Sequence, residues 1–310
     1  MIDSEVFHNK KRVIFIFSNR FFNNTLEPKI SVIIPTHNSE KTIENCIHSI
    51  VSQNFPRNEF EIIVVDDGSK DNTVKWAKIA GADVITLTEP CFQGAARNIG
   101  AKNARGFFFA FIDSDCTARE GWLDSISKEL ENNKAIGGPV LNGNSHSLIA
   151  WAEYLIEFSE FHEYRKRTTV PFVPGCNIAC IKDVFFKVGG FSEQPLSEDV
   201  AFGNSLTKAG INIVFVPELK VNHLCRTEYN RYISNMKLGG KYSIRASKDI
   251  QSIYTPLSRS KWLIPAVFII KLGARARRAR SAKKLIKFII CFPIVILGVG
   301  AFCSGVSNEI

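Results

Sequence analysis

Residues 107–115 read FFFAFIDSD, an apolar run that ends in two aspartates one position apart. The run predicts a buried β-strand, because it is short, continuous and preceded by Gly106. Ionised carboxylates at the edge of a core need partners, because removing them from water is unfavourable. Asp113 and Asp115 at a strand end would form an oxygen-donor site for Mg²⁺ or Mn²⁺ with bound phosphates. The alternative is a turn in which Asp113 and Ser114 bond to the local backbone.

Strands and helices are predicted to alternate through the first half of the chain. The predicted strands cover residues 30–34, 60–65 and 83–87, and the predicted helices cover residues 40–53, 71–80 and 94–104. This alternation favours an α/β fold with a mostly parallel sheet and helices on both faces. The second half is less regular, and its predicted elements are helices at 147–166 and 198–209 and strands at 177–181 and 211–216.

Polar segments follow three of the predicted strands, at residues 35–38, 66–69 and 113–115. Ligands of open α/β sheets bind beyond the carboxyl ends of the strands, so the three segments should share one rim. A carboxylate of Asp66 or Asp67 could accept hydrogen bonds from a uracil N–H or from ribose hydroxyls. Turn formation and helix capping are the alternative for this segment. His37 could stack on a base, or could be an ordinary histidine of the rim.

A second acidic pair, Glu198 and Asp199, stands at the start of a predicted helix. Acidic residues are favourable near the positive end of the helix dipole, so helix capping is one interpretation. The functional interpretation makes Asp199 a general base, provided that it faces the same rim. His223 follows the last predicted strand and is a candidate third metal ligand, with a structural role as the alternative.

The net charge of +9 is concentrated near the end of the chain. Eight basic residues and no acidic residue occur between positions 271 and 287, whereas residues 1–270 contain 31 basic and 29 acidic residues. The main body is therefore nearly neutral, which argues against a nucleic-acid-binding surface over the whole protein. The eight cysteines form no CxxC pair and no secretory signal is recognisable, so reduced thiols in the cytoplasm are expected.

The basic run is followed by residues 288–306, nineteen positions without a charge. A helix needs about twenty such residues to span a bilayer. Basic residues beside an apolar segment are typical of the cytoplasmic side of a membrane, so attachment to the cell membrane at its cytoplasmic face is expected. The apolar stretch 262–270 is too short to span and would suit an interfacial or re-entrant segment. Two alternatives compete with this interpretation: residues 288–306 form a buried helix of a soluble domain, or a solvated basic face is followed by an ordinary core segment.

The ordered set of motifs resembles one enzyme family. The motifs are IIPTHN at 33–38, VDDGS at 65–69, GAARN at 94–98, DSD at 113–115 and ED at 198–199. Their order and spacing are similar to those of family 2 glycosyltransferases with the GT-A fold, over about residues 30–225. The tail resembles that of membrane-attached bacterial members that build surface polysaccharides.

The resemblance implies an inverting glycosyltransferase that moves a sugar from a nucleotide-diphosphate sugar, with a UDP-sugar favoured, to a hydroxyl acceptor. The acceptor would be lipid-linked or a polysaccharide in cell-surface glycan synthesis. The implied donor-binding residues are Pro35, His37, Asp66, Asp67, Arg97 and Asp113. The implied ligands of a divalent metal, Mg²⁺ or Mn²⁺, are Asp115, Asp113 and His223. Asp199 would be the catalytic base, with Glu198 beside it.

The chain is expected to divide into an N-terminal extension at 1–29, a GT-A catalytic domain at 30–245 and a basic and apolar membrane-attachment region at 246–310. Histidine at position 37 departs from the more usual tyrosine. No QxxRW motif follows the acidic pair, and this absence argues against a processive synthase.

One rival function is that of a nucleotidyltransferase, which would be expected to carry a glycine-rich loop after the first strand, where this chain has PTHNS at 35–39. The other is a membrane-tethered nucleotide-sugar-binding or scaffolding protein, which would need no catalytic base.

Overall fold

The computed structural model describes residues 27–194, 197–249 and 261–308. The extension predicted for residues 1–29, with its possible short strand, lies almost wholly outside these ranges. The described part of the chain contains one large sheet, one small sheet and helices that pack against both faces of the large sheet.

The large sheet has eight strands in the order β3-β2-β1-β4-β9-β6-β10-β8. Its strands are β1 (Ile30–Thr36), β2 (Phe60–Asp66), β3 (Asp83–Thr86), β4 (Phe108–Phe111), β6 (Ala135–Gly137), β8 (Thr168–Val170), β9 (Ile178–Ile181) and β10 (Ile213–Phe215). The small sheet has the order β5-β11-β7, from β5 (Cys116–Ala118), β7 (Val140–Asn142) and β11 (Val221–His223).

The predicted α/β fold class is confirmed. Strands β3, β2, β1 and β4 are parallel neighbours, and β10 runs parallel to β6. Antiparallel strands occur only in the second half of the large sheet, where β9 pairs with β4 and β6 and the edge strand β8 pairs with β10. Four of the seven pairings are therefore parallel, and the sheet is parallel throughout the half that carries the first two polar segments.

The helices are α1 (Ile43–Val51), α2 (Thr73–Ile79), α3 (Phe92–Asn103), α4 (Trp122–Glu129), α5 (Leu148–Glu157), α6 (Lys182–Lys187), α7 (Glu198–Lys208) and α8 (Tyr229–Asp249). Two further helices complete the described chain, the basic helix (Ile264–Ser281) and the C-terminal helix (Leu285–Ser307). The helix predicted at 147–166 is shorter than expected, because α5 gives way to a 3₁₀ turn at Ser159–Phe161. The apolar stretch 262–270 is not a separate segment, since most of it forms the first half of the basic helix.

Strand β1 shows how the sequence fills both faces of the sheet. Every residue of β1 is buried, as expected for a parallel strand covered on two sides. Successive side chains point to opposite faces, so Val32 and Ile34 join the core that contains α1, whereas Ile33 joins the core that contains α3. The carboxyl ends of β1 and its two neighbours are thereby held at one rim.

The C-terminal helix packs against α5 and α8 rather than leaving the molecule. Glycines allow this close approach, because a Cβ on Gly240 of α8 would lie 1.9 Å from the backbone oxygen of Phe302. A Cβ on Gly298 would lie 1.8 Å from the Tyr232 hydroxyl oxygen. That hydroxyl donates a hydrogen bond to the backbone oxygen of Ile294, at 3.0 Å. The helix is therefore joined to the body of the protein along its length.

Gly240→Ala is expected to lower the free energy of unfolding by about 1–3 kcal/mol, since the added methyl group must push the C-terminal helix away from α8. Gly273→Ala is the matched control, because Gly273 also lies inside a helix and a Cβ there would meet no atom within 4 Å. Alanine favours helices over glycine by up to about 1 kcal/mol, so the control should be neutral or stabilising. Thermal or urea denaturation measures both variants. Equal stability of the two would show that the C-terminal helix is not part of the folded core.

Candidate active site

A cleft of about 230 Å³ opens at the rim where β1, β2 and β4 end. Its lining residues are Pro35, Thr36, His37, Ser39, Asp67, Gln93, Ala96, Asp113, Ser114 and Asp115. The three polar segments expected at one rim are therefore brought together. This arrangement follows from the parallel order of β2, β1 and β4, whose carboxyl ends must face the same edge.

The two aspartates after β2 have different environments. Asp66 is fully buried and accepts hydrogen bonds from the Ser69 backbone N–H at 3.3 Å, and it does not line the cleft. Burial raises the pKa of Asp66. The Asp67 carboxylate lies at the cleft and accepts hydrogen bonds from the backbone N–H groups of Cys91, at 2.6 Å, and Phe92, at 3.2 Å. Asp67 thus stabilises the loop that leads into α3, whereas Asp66 stabilises the turn from Asp66 to Ser69.

His37 is exposed on the wall of the cleft, and two hydrogen bonds fix its ring. Its Nδ1 lies 2.8 Å from the backbone oxygen of Asp67, and its Nε2 lies 2.8 Å from the Asn38 side-chain nitrogen. Because the backbone oxygen can only accept and the amide nitrogen can only donate, these contacts assign the proton to Nδ1. The imidazole ring is therefore held in one orientation beside Asp67.

Asp115 and His223 meet through the small sheet. His223 of β11 pairs with Cys116 of β5, and the backbone N–H of Leu224 donates to the backbone oxygen of Asp115 at 2.9 Å. The His223 Nε2 lies 3.6 Å from the Asp115 Oδ1. Burial raises the pKa of Asp115, and the neighbouring His223 opposes this increase.

These side chains fit a divalent cation. Two atoms that bind one ion at about 2.1 Å can be no more than about 4.2 Å apart, and 3.6 Å meets this limit. Cys116 also belongs to the cluster, but a thiol is a soft donor that suits neither Mg²⁺ nor Mn²⁺. Of the remaining donors, the Asp115 carboxylate is the type that suits Mg²⁺ and Mn²⁺, and His223 adds an imidazole nitrogen beside it.

Arg97 of α3 connects the two acidic motifs beneath the cleft. Its side chain is 1% exposed, and its guanidinium donates to the Asp113 carboxylate at 2.6 Å and to the Glu198 carboxylate at 2.7 Å. Gly175 provides the space, because a Cβ there would lie 3.0 Å from the guanidinium nitrogen. Arg97 and Glu198 are both buried, pair with each other and are not among the residues that line the cleft.

Asp199 lies in the first turn of α7, half-buried beside this ion pair. Its carboxylate accepts hydrogen bonds from the backbone N–H of Gly175 at 3.3 Å and from that of Val200 at 2.7 Å. Burial, followed by the charge of Glu198, raises the pKa of Asp199 to about 7. Asp199 is not among the residues that line the cleft, but Glu198 links it through Arg97 to Asp113, which does.

Several residues of this region were not predicted. Gln93 and Ser39 line the cleft, and the Ser39 hydroxyl lies 2.9 Å from that of Ser114. Beyond β11, Arg226 forms an ion pair with the fully buried Glu153 of α5. Ser39 and Gln93 stand beside the motifs at 33–38 and 94–98, which is the signal that could have found them. No local signal marks Glu153, since its burial depends on a partner from a distant part of the chain.

Comparisons with known proteins agree with this geometry. The description "Glycosyl transferase family 2" matches residues 31–189, which is more than half of the chain. The glycosyltransferase AglE of Haloferax volcanii is 29% identical over 209 residues, which cover 64% of this chain and 68% of AglE. The poly(ribitol-phosphate) beta-N-acetylglucosaminyltransferase TarS of Staphylococcus aureus is 44% identical over 106 residues, 33% of this chain and 17% of TarS. The chain thus spans only a small part of TarS.

Solved structures show the same fold. The mannosyltransferase PcManGT of Pyrobaculum calidifontis, in complex with GDP-Man and Mn²⁺, superposes with a TM-score of 0.63 at 18% identity and covers 97% of this chain and 90% of its own. TarS 1–349 of S. aureus, in complex with UDP-GlcNAc, gives a TM-score of 0.54 at 18% identity, with 90% and 91% covered. At these identities the likeness concerns the fold, whereas the family match rests on the sequence. Together with the cleft at the rim of the sheet, the match over residues 31–189 identifies the chain as a member of glycosyl transferase family 2.

Proposed function

We propose that this glycosyltransferase is metal-dependent and inverting, and that it transfers a sugar from a nucleotide-diphosphate sugar, most favourably a UDP-sugar, to a hydroxyl acceptor. The observation that carries the proposal is the meeting of Asp67, Asp113 and Asp115 in one cleft, with His223 beside Asp115. Asp67 and Asp113 have partners in the protein, but three carboxylates around one concave site still favour a divalent cation and the hydrogen-bond donors of a nucleotide.

The nucleoside would bind at Pro35, His37 and Asp67. The fixed, exposed ring of His37 offers a surface on which a base can stack. Asp67 already accepts two backbone N–H groups, but an ionised carboxylate has about four acceptor positions and can still accept from a uracil N–H or a ribose hydroxyl. Asp66, which is buried in its turn, would support Asp67 without touching the donor.

The metal would be held by Asp115 and His223, with Asp113 close by. Asp113 accepts a hydrogen bond from Arg97 through one carboxylate oxygen, and its side chain lines the cleft and is 24% exposed. A bound divalent cation supplies counter-charge for the diphosphate leaving group. Two proteins that share the fold support this proposal. The structure of TarS contains UDP-GlcNAc, and that of PcManGT contains GDP-Man and Mn²⁺.

Asp199 would remove the proton from the acceptor hydroxyl. A carboxylate with a pKa of about 7 is suited to this task near neutral pH, because it is partly ionised and basic enough to take the proton. The acceptor oxygen then forms the new bond to the anomeric carbon while the bond from that carbon to the diphosphate oxygen breaks. One displacement of this kind inverts the anomeric centre.

Arg97 and Glu198 would position the site rather than touch substrate. Arg97→Lys keeps the positive charge but replaces a planar fork that reaches two carboxylates. We expect a lower melting temperature and a kcat reduced by about 10²-fold, as displacement of catalytic groups by about 1 Å can produce. Arg105→Lys is the control, since Arg105 also pairs with a buried glutamate but is itself 44% exposed. Wild-type kcat in Arg97→Lys would contradict the positioning role.

The cellular setting forms part of the proposal. The chain would work at the cytoplasmic face of the cell membrane on a lipid-linked or polysaccharide acceptor in cell-surface glycan synthesis. This is supported by the similarity to TarS, whose name specifies a poly(ribitol-phosphate) acceptor, and by the C-terminal helix, which is long and apolar enough to cross a membrane. Residues 30–245 would form the catalytic domain and residues 246–310 the attachment region. The packing of the C-terminal helix on α5 and α8 means that these two parts share a core.

A screen of nucleotide sugars tests the donor. Thermal stabilisation and donor hydrolysis are measured for UDP-, GDP- and dTDP-sugars, with Mn²⁺, with Mg²⁺ and with excess chelator. One base should stabilise the protein more than the others, and only when a divalent cation is present. Stabilisation by no nucleotide sugar, or equal stabilisation with chelator, would contradict the proposal.

A further inference from the structure

The last two described helices expose an unusual amount of apolar surface. Nineteen large hydrophobic side chains of the described residues are exposed, and ten of them fall between positions 262 and 297. The most exposed are Trp262 at 93%, Ile286 at 76% and Ile269 at 69%. An apolar concentration of this kind marks a surface that contacts another molecule or a membrane.

The C-terminal helix has two apolar faces with different surroundings. Phe288, Cys291, Val295 and Val299 are buried, and their spacing of three and four residues places them on one side of the helix. Ile286, Ile289, Ile290 and Leu297 follow the same spacing on the other side and are between 49% and 76% exposed. One face therefore belongs to the protein core, and the opposite face remains open.

The covered face extends over most of the helix, which argues against a membrane-spanning orientation. The helix touches Tyr232 at Gly298, and a Cβ on Gly305 would lie 1.9 Å from the backbone oxygen of Lys237. If the helix crossed the bilayer, α5 and α8 would be carried to the same depth. Helix α8 bears the exposed Arg231 and Lys237, and charged side chains at that depth are strongly unfavourable. The helix can meet lipid only through its open side.

The charge around the open side is positive. No aspartate or glutamate occurs between positions 261 and 308, whereas nine basic residues do. Arg278 and Lys284 pair with Glu160 and Glu163 of the main body. Arg277, Arg280 and Lys283, at the end of the basic helix and in the turn after it, are exposed. Exposed cations beside an apolar stripe are suited to the headgroups of anionic lipids.

We infer that the open faces of the basic helix and the C-terminal helix dock on an anionic bilayer surface, with the C-terminal helix lying in the membrane plane. A second copy of this chain is a poorer occupant, because a symmetric contact would bring the same exposed cations together. The inference refines the membrane attachment in the proposed function and does not depend on the sugar or the nucleotide. The rim of the large sheet would then be held at a fixed height above the lipid.

Vesicle flotation tests the docking face. Full-length protein should float with phosphatidylcholine vesicles that contain phosphatidylglycerol, and less well when phosphatidylglycerol is omitted or salt is added. Ile286→Asp combined with Ile289→Asp should reduce the partition coefficient by about 100-fold, or about tenfold for each side chain withdrawn from lipid. Ile79→Asp is the matched control, because Ile79 of α2 is 61% exposed and far from the basic run in sequence. Its partitioning should equal that of the wild type.

One further measurement tests whether the docking face contacts lipid, and a second tests the orientation of the C-terminal helix. Trp262 is the most exposed of the four tryptophans, so vesicle binding should shift the emission to shorter wavelength, and Trp262→Phe should abolish the shift. In inside-out membrane vesicles from expressing bacteria, a tag after residue 310 should be digested by added protease, since both ends of an in-plane helix stay on the cytoplasmic side. A spanning helix would protect the tag.

The results of these experiments distinguish the in-plane orientation, the docking on a membrane and the proposed chemistry from one another. A protected tag would overturn the in-plane orientation while leaving attachment intact. No flotation of the full-length protein would overturn the docking face, and a dimer abolished by the double substitution would identify a second copy as the occupant. Thermal stabilisation by a nucleotide sugar, measured on the same preparations, reports the proposed chemistry separately. The double variant should retain that stabilisation, since neither isoleucine lies near the cleft.

Discussion

Asp115→Ala should abolish sugar transfer and remove the cation-dependent part of nucleotide-diphosphate binding. A metal that neutralises the leaving group contributes several kcal/mol, and each 1.36 kcal/mol changes a rate about tenfold, so a loss of more than about 10³-fold is expected. The fold should persist, because the contact of Asp115 with Leu224 uses the backbone oxygen, which alanine retains. The measurements are kcat/KM for transfer and calorimetric titration of nucleoside diphosphate with and without Mn²⁺.

The control for this prediction is Asp124→Ala, which removes a carboxylate of α4 that is 49% exposed and pairs with its helix neighbour Lys128. It should leave transfer and metal dependence unchanged. His223→Ala should resemble Asp115→Ala in direction, since the two side chains meet at 3.6 Å. Full activity of the wild type in excess chelator would contradict the metal assignment, regardless of the activities of the variants.

Asp199→Asn should lower kcat by about 10²–10⁴-fold and leave the KM for the donor close to that of the wild type. The amide is nearly the same size but cannot take the acceptor proton. In the wild type, burial raises the pKa of Asp199 to about 7, so the ionised, active form increases as the pH rises through about 7. Activity should rise over the same range, and this rise should be missing from the residual activity of Asp199→Asn.

Glu157→Gln is the control for the pH dependence. Burial, followed by the charge of Glu153, raises the pKa of Glu157 to about 8, so this group also titrates near neutral pH. Asn235 donates a hydrogen bond to it at 3.1 Å, in a polar cluster between α5 and α8. If Glu157→Gln removed the rise in activity and Asp199→Asn retained it, the base would have to be sought on α5.

The parallel part of the sheet could be predicted because its strands are buried on both faces. Such strands appear as continuous apolar runs, and ISVIIPT and FEIIVVD of β1 and β2 are examples. Strands β6, β7, β8, β10 and β11 have three residues each, which is too short for a recognisable period. Only β10 falls within a predicted strand. The position of β9 between β4 and β6 is likewise a long-range property that no local pattern shows.

As with the strands, only part of the candidate site could be predicted from the sequence. The rule that ligands bind at strand ends brings Asp67, Asp113 and Asp115 into one cleft, as the structure shows. The inward direction of Arg97 could not be inferred, because its burial depends on Glu198, which lies 101 positions away. The approach of His223 to Asp115 likewise depends on the pairing of β5 with β11. Sequence patterns identified which residues belong to the region, and tertiary contacts decide which of them face the cleft.

The position of β9 in the sheet also has a consequence for how the protein is made. Strands β4 and β6 leave the ribosome before the strand that separates them, and at about 5–20 residues per second roughly 2–8 s pass between Gly137 and Ile178. During that time both strands have an unpaired edge, which any other extended chain can join. A nascent chain of this protein is therefore open to pairing with other extended chains until β9 emerges. A fragment that ended at residue 189, where the family match ends, would lack β10 and would leave both β6 and β8 without their shared partner.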